Sequence, residues 1–288
     1  MKKISKTITS APFIKQCMGL FDSKKSVAVL RFQGVISSQG GINKQSLNLE
    51  SMKSEIDKAF SLPNLAAVAI AVNSPGGSPV QSELIYNYLR ATAEKKSIPI
   101  YAFAEDVAAS GGYWLLCAGD RMYASGSSIV GSIGVISSGF GFVNVLKKVG
   151  VERRIITHGK SKSIYDSFLP VKSSDEKIIS AAQKDIHDAF QDMVTSRRGS
   201  KIKIDKERLF SGEFWSGKTG VKFGLVDGLG DLYSVMKQEF GEDITFQHIK
   251  KSPSWLKKKM NMAMSYENLL DTLLSKIEQK IHYNRFGL

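Results

Sequence analysis

The stretch AAVAIAVNSPGG, residues 66–77, decides the fold of this chain. Residues 66–72 are Ala, Val and Ile throughout, which is typical of a strand buried on both faces of a sheet. Asn-Ser-Pro-Gly-Gly at 73–77 then gives a strong turn signal. We therefore predict a central strand that ends in a glycine-rich turn, at the sheet edge where site-forming loops meet.

Strands and helices alternate on both sides of this stretch. Strands are predicted at 27–32, 66–72, 98–104, 121–123, 131–136 and 152–157. Helices are predicted at 48–60, 81–94, 109–118 and 143–149. This alternation over 27–157 predicts an α/β fold with a mainly parallel sheet flanked by helices.

The following helices carry their own boundary signals. Ser173 and Glu176 have the spacing of a capping box, and Gly199 is a plausible helix stop. A compact, glycine-punctuated segment over 210–227 leads to a helix predicted at 232–240.

Composition and length limit the class of protein. With 288 residues, 42% hydrophobic and 23% charged, the chain has the composition of a soluble globular protein. No apolar run approaches the ~20 residues of a membrane span, and residues 1–21 are basic without the apolar core of a secretory signal. Cys17 and Cys117 form neither a metal spacing nor a disulfide framework. We expect a cytoplasmic protein without metal or other cofactor, in which Cys117 is a buried helix residue.

The net charge of +13 raises the question of an acidic partner. The densest lysine run lies at 250–259 and is accompanied by no zinc spacing or RNA-binding aromatic motif, so no nucleic-acid partner is predicted. A solvated basic surface and a peripheral contact with the inner membrane both stay open. Trp255 and Leu256 beside the lysines would suit an interfacial anchor.

A candidate nucleophile lies in AASGGYW, residues 108–114. Small residues around Ser110 would let a substrate backbone approach its hydroxyl, although the same pattern fits a turn that merely packs a helix on the sheet. An N–H of the Gly76–Gly77 turn and the N–H of Gly111 could converge on one carbonyl oxygen. Such a pair of donors would form an oxyanion hole.

The serine also needs a base. The chain has only 4 histidines, of which His158 is the reasonable competitor, since His187 lies within a predicted helix. A lysine serves as a base where desolvation or nearby positive charge keeps its amine neutral. Lys160 and Lys162 fit that requirement, and an ordinary surface loop is the competing interpretation.

Several motifs occur together in a fixed order. They are VNSPGG at 72–77, AASGGY at 108–113, VGSIGVI at 130–136, GKSK at 159–162 and LVDGLG at 225–230. On these motifs the chain resembles the signal peptide peptidase A family of serine peptidases, within the Clp/crotonase superfamily. The resemblance covers about residues 27–240. It implies a Clp/crotonase-like fold with a C-terminal helical extension.

The resemblance also implies a serine endopeptidase with a Ser/Lys dyad that acts through an acyl-enzyme. The family's nucleophile falls on Ser110, its lysine on Lys162, and its oxyanion donors on Gly76, Gly77 and Gly111. Expected substrates are small or apolar peptides, such as signal-peptide or membrane-protein fragments. In single-unit relatives the serine and the lysine can come from adjacent subunits of a homo-oligomeric ring. We expect the chain to depart from many relatives in having no N-terminal membrane anchor.

These features divide the chain into an N-terminal lead-in at 1–25, a peptidase domain at 26–241 and a basic, amphipathic extension at 242–288. Apolar residues over 262–281 share one helix face, which would pack on the chain's own body or on a neighbouring subunit. Other functions remain possible on the same scaffold. An acyl-CoA enzyme would use the oxyanion hole on a thioester, and a non-catalytic assembly or membrane-surface scaffold would use the charge and the amphipathic segment.

Overall fold

The architecture comes from a computed structural model, which describes residues 24–38, 47–250, 280 and 282–287. The strands are β1 (Ser26–Gln33), β2 (Leu65–Ser74), β3 (Ile100–Ala109), β4 (Arg121–Ala124), β5 (Ile129–Gly131), β6 (Phe214–Ser216), β7 (Gly228–Leu229) and β8 (Thr245–His248). The helices are α1 (Leu49–Ala59), α2 (Pro79–Lys96), α3 (Gly111–Leu116), α4 (Val143–Val149), α5 (Ser173–Arg198), α6 (Lys206–Leu209), α7 (Gly217–Phe223) and α8 (Leu232–Phe240).

The strands form an 8-stranded sheet in the order β6-β5-β3-β2-β1-β8, with β4 pairing with β3 and β7. Every pairing is parallel except that of β5 with β6. The predicted α/β fold with a mainly parallel sheet is thereby confirmed. Because β2 and β3 are parallel neighbours, their carboxyl ends meet, and Ser74 pairs with Ala108.

Both faces of the sheet are covered, which explains the uniformly apolar composition of β2. On one face Ile70 and Val72 join a cluster to which α2 contributes Ile85. On the other face Ala69 packs in a cluster with Met236 of α8. A strand buried on both sides has no need for the alternation of a half-exposed one.

The structure corrects the predicted boundaries near the glycine-rich turns. Strand β3 continues to Ala109, so the helix predicted from 109 begins at Gly111. The strand predicted at 131–136 is instead Ile129–Gly131. The φ angles of 103° at Gly131 and 53° at Ser132 explain the difference, because they turn the chain out of the extended conformation.

Further corrections concern the middle of the chain. The strand predicted at 152–157 is wrong, since that stretch is irregular and mostly exposed. The predicted capping box is also wrong, because α5 begins at Ser173 with Lys172 as its N-cap and without a side-chain cap hydrogen bond. The predicted helix end at Gly199 and the helix over 232–240 are confirmed.

Several predictions fall outside the described residues. They are those for Cys17, for Trp255 with the lysine run beyond Lys250, and for nearly all of the amphipathic segment 262–281. Cys117 is buried as expected, directly after α3. Burial raises the pKa of its thiol to about 12, so the thiol stays protonated.

Candidate active site

Ser110 occupies the turn between β3 and α3, at the carboxyl edge of the sheet. Its backbone has φ 53° and ψ −123°, which is strained for a residue with a side chain. The side chain makes no cap hydrogen bond to the helix that it precedes. A sharp, strained turn from strand to helix is the arrangement that presents a nucleophilic hydroxyl above a parallel sheet.

Neighbouring backbone holds this strained residue in place. The N–H of Ser110 donates to the carbonyl of Gly131 at 2.8 Å, and its carbonyl accepts from Trp114 at 3.0 Å. Ser132, which follows Gly131 at the end of β5, donates its N–H to the carbonyl of Glu213 at 2.7 Å. Ends of β3, β5 and β6 therefore fix the backbone of Ser110 together.

The Gly76–Gly77 turn packs directly against Ser110. A Cβ added at Gly76 would lie 2.7 Å from the nitrogen of Gly111 and 2.8 Å from the Cβ of Ser110. A Cβ added at Gly77 would lie 2.1 Å from the carbonyl oxygen of Ile36. Both glycines also have positive φ angles, of 101° and 139°. The close approach of the two turns thus requires glycine at 76, and the contact with Ile36 requires glycine at 77.

The backbone donors of these turns are not equivalent. Gly76 directs its N–H at the hydroxyl of Ser74, at 3.2 Å, and its carbonyl accepts from Ile36. By contrast, neither Gly77 nor Gly111 donates a backbone hydrogen bond to any residue in the described part of the chain. Of the predicted oxyanion donors, Gly77 and Gly111 have the N–H groups that could still bind a carbonyl oxygen.

Lys162 lies in a different part of the molecule, which we name the arm and define as residues 134–172. Its side chain is exposed, and its backbone N–H closes a turn onto Gly159 at 3.1 Å. Within the described residues, no hydrogen bond joins its amine to the hydroxyl of Ser110. The described part of one chain therefore brings Ser110, Gly76, Gly77 and Gly111 together, and it shows no hydrogen bond between Lys162 and these residues.

The arm is folded on itself rather than on the core. The N–H of Phe142 donates to Ser167 at 2.6 Å, and the Phe142 ring stacks on Phe168 at a centroid distance of 5.5 Å. Arg153 joins the same cluster through an ion pair with Asp166 at 3.0 Å. Helix α4, within the arm, buries none of its residues.

Large apolar side chains of the arm point away from the molecule. Phe140 is 80% exposed and Ile156 is 97% exposed, and further apolar residues with more than half of their surface exposed are Ile136, Val145, Val149, Val151 and Val171. Exposed apolar side chains in this number within one segment are typical of an interaction surface in soluble proteins.

The histidine alternatives receive no geometric support from the described residues. His158 is exposed within the arm. His187 lies on α5, where its Nδ1 is 3.3 Å from the amide nitrogen of Gln191 and its ring contacts Phe210 edge-on. The described residues also contain no cluster of His, Cys, Asp and Glu suited to a metal ion.

Sequence reasoning missed the residues that seat the candidate nucleophile. Gly131 and Ser132 belong to a recognised motif, yet no role was predicted for them. The signal was a glycine directly after an apolar strand, because glycine readily takes a positive φ, whereas the positive φ of Ser132 had no sequence signal. Ser82 was also missed: it is fully buried on α2, and a Cβ at Gly111 would lie 2.4 Å from its hydroxyl.

Comparisons with known proteins identify the family of this chain. A model of peptidase family S49 matches residues 92–240. The serine protease SPPA, chloroplastic, of Arabidopsis thaliana is 28% identical over 223 residues, or 76% of this chain and 32% of that protein. Protease 4 of Haemophilus influenzae is 29% identical over 213 residues, or 74% and 34%. The chain belongs to peptidase family S49.

A further relative has a different name. The Na(+)/H(+) antiporter NhaA of Brucella melitensis is 42% identical over 272 residues, which are 91% of this chain and 37% of that protein. The chain thus spans about a third of the length of these curated relatives. None of the helices among the described residues has both the length and the hydropathy that crossing a bilayer requires.

Proposed function

We propose that this chain is a serine endopeptidase in which Ser110 is the nucleophile and Lys162 the general base. The observation that carries the proposal is the strained turn at Ser110, with the unbonded N–H groups of Gly77 and Gly111 beside it. Membership of a peptidase family gives this arrangement its chemical interpretation.

In the proposed reaction, Ser110 Oγ attacks the carbonyl carbon of the scissile peptide bond while the neutral amine of Lys162 takes the hydroxyl proton. The tetrahedral intermediate then collapses to an ester on Ser110. The C–N bond breaks, and the ammonium of Lys162 gives its proton to the leaving amine. A water molecule attacks the ester, again with Lys162 as base, and releases the carboxylate and the free serine.

The developing oxyanion would accept hydrogen bonds from Gly77 and Gly111. Their N–H groups have no other acceptor among the described residues, so they would bind the oxyanion without first breaking a bond. Loss of one such donor typically lowers kcat by about 10²–10³. Gly76 then acts through its missing side chain, which allows the two turns to approach.

We further propose that Lys162 serves the Ser110 of an adjacent copy in a homo-oligomeric ring. The exposure of Lys162 and the apolar surface of the arm support this, because a second copy would cover both. Burial of the amine in that interface would favour its neutral form. Under this proposal, the site of an isolated chain lacks its base, because Lys162 comes from the neighbouring copy.

The proposed substrates are peptides with small or apolar side chains, such as fragments of signal peptides or membrane proteins. The resemblance to signal peptide peptidase A suggests this class. The proposed location is cytoplasmic, with peripheral contact to the inner membrane that the net charge of +13 would favour.

The first test uses Ser110→Ala and labelling by a serine-reactive fluorophosphonate. The parent should cleave an unstructured peptide and carry the label on Ser110, whereas the variant should do neither. Equal cleavage by parent and Ser110→Ala would refute the nucleophile. An intact oligomer that neither cleaves nor reacts would instead favour the scaffold function.

Lys160 provides a matched control for the base. Both lysines are exposed residues of the same turn of the arm. Lys162→Ala should abolish turnover, and Lys160→Ala should retain most of it. An equal loss in the two variants would contradict the assignment of Lys162.

A further inference from the structure

The C-terminal segment 282–287 returns to the sheet beside the candidate nucleophile. Phe286 is only 9% exposed and forms a cluster with Val107 and Ala109, the latter directly preceding Ser110. Its ring also meets that of Phe214 edge-on, at a centroid distance of 5.2 Å. The segment is thus packed on strand ends and not on the arm.

These contacts reach the strands that hold the backbone of Ser110. Val107 and Ala109 belong to β3, Phe214 belongs to β6, and the intervening β5 pairs with both strands. Gly131, which accepts the N–H of Ser110, pairs with Phe214 and with Ala109. The Phe286 ring therefore contacts both β3 and β6, the two strands that flank β5.

Tyr283 makes a second contact, with the end of β2. This strand leads into the Gly76–Gly77 turn, which we name the oxyanion turn. Its hydroxyl donates to the carbonyl of Asn73 at 3.0 Å, next to the N–H of Gly34, which donates to the same oxygen. The side-chain amide of Asn73 in turn donates to Asp106 on β3 at 2.6 Å. Asn73 lies just before the turn that contains Gly76 and Gly77.

We infer that Tyr283 and Phe286 are positioning residues, which fix the distance between the oxyanion turn and Ser110. A strained backbone persists only where its surroundings over-determine it. Phe286 holds the β3–β5–β6 side of Ser110, and Tyr283 holds the end of β2. The C-terminal segment thereby joins the strand ends that carry the nucleophile and its oxyanion donors. This inference rests on the proposed function, because it assigns these residues a role at that site.

The test compares Phe286→Ala, Phe286→Leu and Tyr283→Phe in the full chain. Phe286→Ala should lower kcat and the rate of fluorophosphonate labelling of Ser110 together, by about 10- to 100-fold, since small misplacements of reacting groups have effects of this size. KM should change little, because neither residue is placed against the substrate. Phe286→Leu should restore most of the rate by refilling the apolar site. Tyr283→Phe should show a smaller joint loss.

Asn284→Ala is the matched control, because Asn284 is an exposed residue of the same segment. It should behave as the parent. Thermal unfolding separates positioning from stability, and Tyr283→Phe keeps the ring in place if Phe286→Ala is poorly folded. Parental or faster labelling and turnover in both Phe286→Ala and Tyr283→Phe would overturn the inference. Failure of the proposed function would look different, since the parent itself would then not be labelled at Ser110.

Discussion

At the scale of single residues, Gly76 gives the sharpest test of the contact between the two turns. Gly76→Ala places a methyl group 2.7 Å from the Gly111 nitrogen, on a backbone with φ 101°. We expect the turns to separate and kcat to fall by about 10²–10³, as when an oxyanion donor is lost. Steady-state kinetics on an unstructured peptide would measure this.

Gly126→Ala serves as its control, because a Cβ at Gly126 would meet nothing within 4 Å. The control should keep parental kcat. A Gly76→Ala protein with unchanged kcat would show that the spacing of the turns does not matter for turnover.

The sequence predicted the residues of these turns better than their roles. Ser110, Gly76, Gly77 and Gly111 were singled out because glycine-rich turns follow two predicted buried strands and because the motifs resemble those of a peptidase family, whereas the local pattern alone also fits a turn that packs a helix on the sheet. The different roles of Gly76, Gly77 and Gly111 could not be predicted. They depend on which backbone N–H already has an acceptor, and in the folded chain the hydroxyl of Ser74 accepts the N–H of Gly76.

At the scale of elements, Asp227 connects the end of α5 to the sheet. Its carboxylate accepts from Arg198 at 2.8 Å, from Lys201 at 2.7 Å and from the N–H of Met122 at 2.8 Å. Burial by itself would raise the pKa of this carboxyl, but the hydrogen bonds from Lys201, Arg198 and Met122 outweigh it and hold the pKa below 3.8. The motif that contains Asp227 is therefore structural at this residue.

Removing this carboxylate should destabilise the fold strongly. Arg198 is 2% exposed, so Asp227→Ala leaves a buried charge without its partner, at a cost of about 3–5 kcal/mol in the free energy of unfolding. Because the folded-state pKa is depressed, the ionised form stabilises the parent above the unfolded pKa, and this is lost as the pH falls through the folded value. Urea unfolding between neutral and acid pH should show a larger loss of stability in the parent than in Asp227→Asn, in which only the other carboxyls with lowered pKa values remain.

Asp243→Asn is the control, since the side chain of Asp243 is 96% exposed. Its stability should follow that of the parent at every pH. An Asp227→Ala protein as stable as the parent would show that water or another group compensates Arg198.

The elements also show where prediction from sequence fails. Strand β2 was predicted because a strand covered on both faces is apolar throughout, which is a local pattern. The stretch 152–157 has only two apolar residues, Ile155 and Ile156, and it lies in the arm, where it pairs with no strand of the described chain. An apolar pattern indicates that side chains need to be buried. It does not indicate whether the residues that bury them belong to the same chain.

At the scale of the whole molecule, the proposal that Ser110 and Lys162 of one site come from different copies predicts that two inactive variants restore activity when they assemble together. Ser110→Ala and Lys162→Ala should each be inactive by themselves. Mixed in equal amounts and reassembled, they should recover about a quarter of the parental rate, because that share of sites pairs an intact serine with an intact lysine from the neighbour.

The recovery should depend on the arm. Ile156→Glu introduces a charge at a side chain that is 97% exposed in the single chain, so it should leave the fold intact and prevent association through the apolar surface. Carried by both partners, it should abolish the recovered activity and yield a smaller particle in light scattering. Leu84→Glu, at an exposed apolar position on α2 and outside the arm, is the matched control and should preserve both. If the mixture stays inactive while each variant assembles normally, the lysine must act on the serine of its own chain. The arm would then have to bring its lysine to that serine upon assembly, because the described chain shows no hydrogen bond between the two residues.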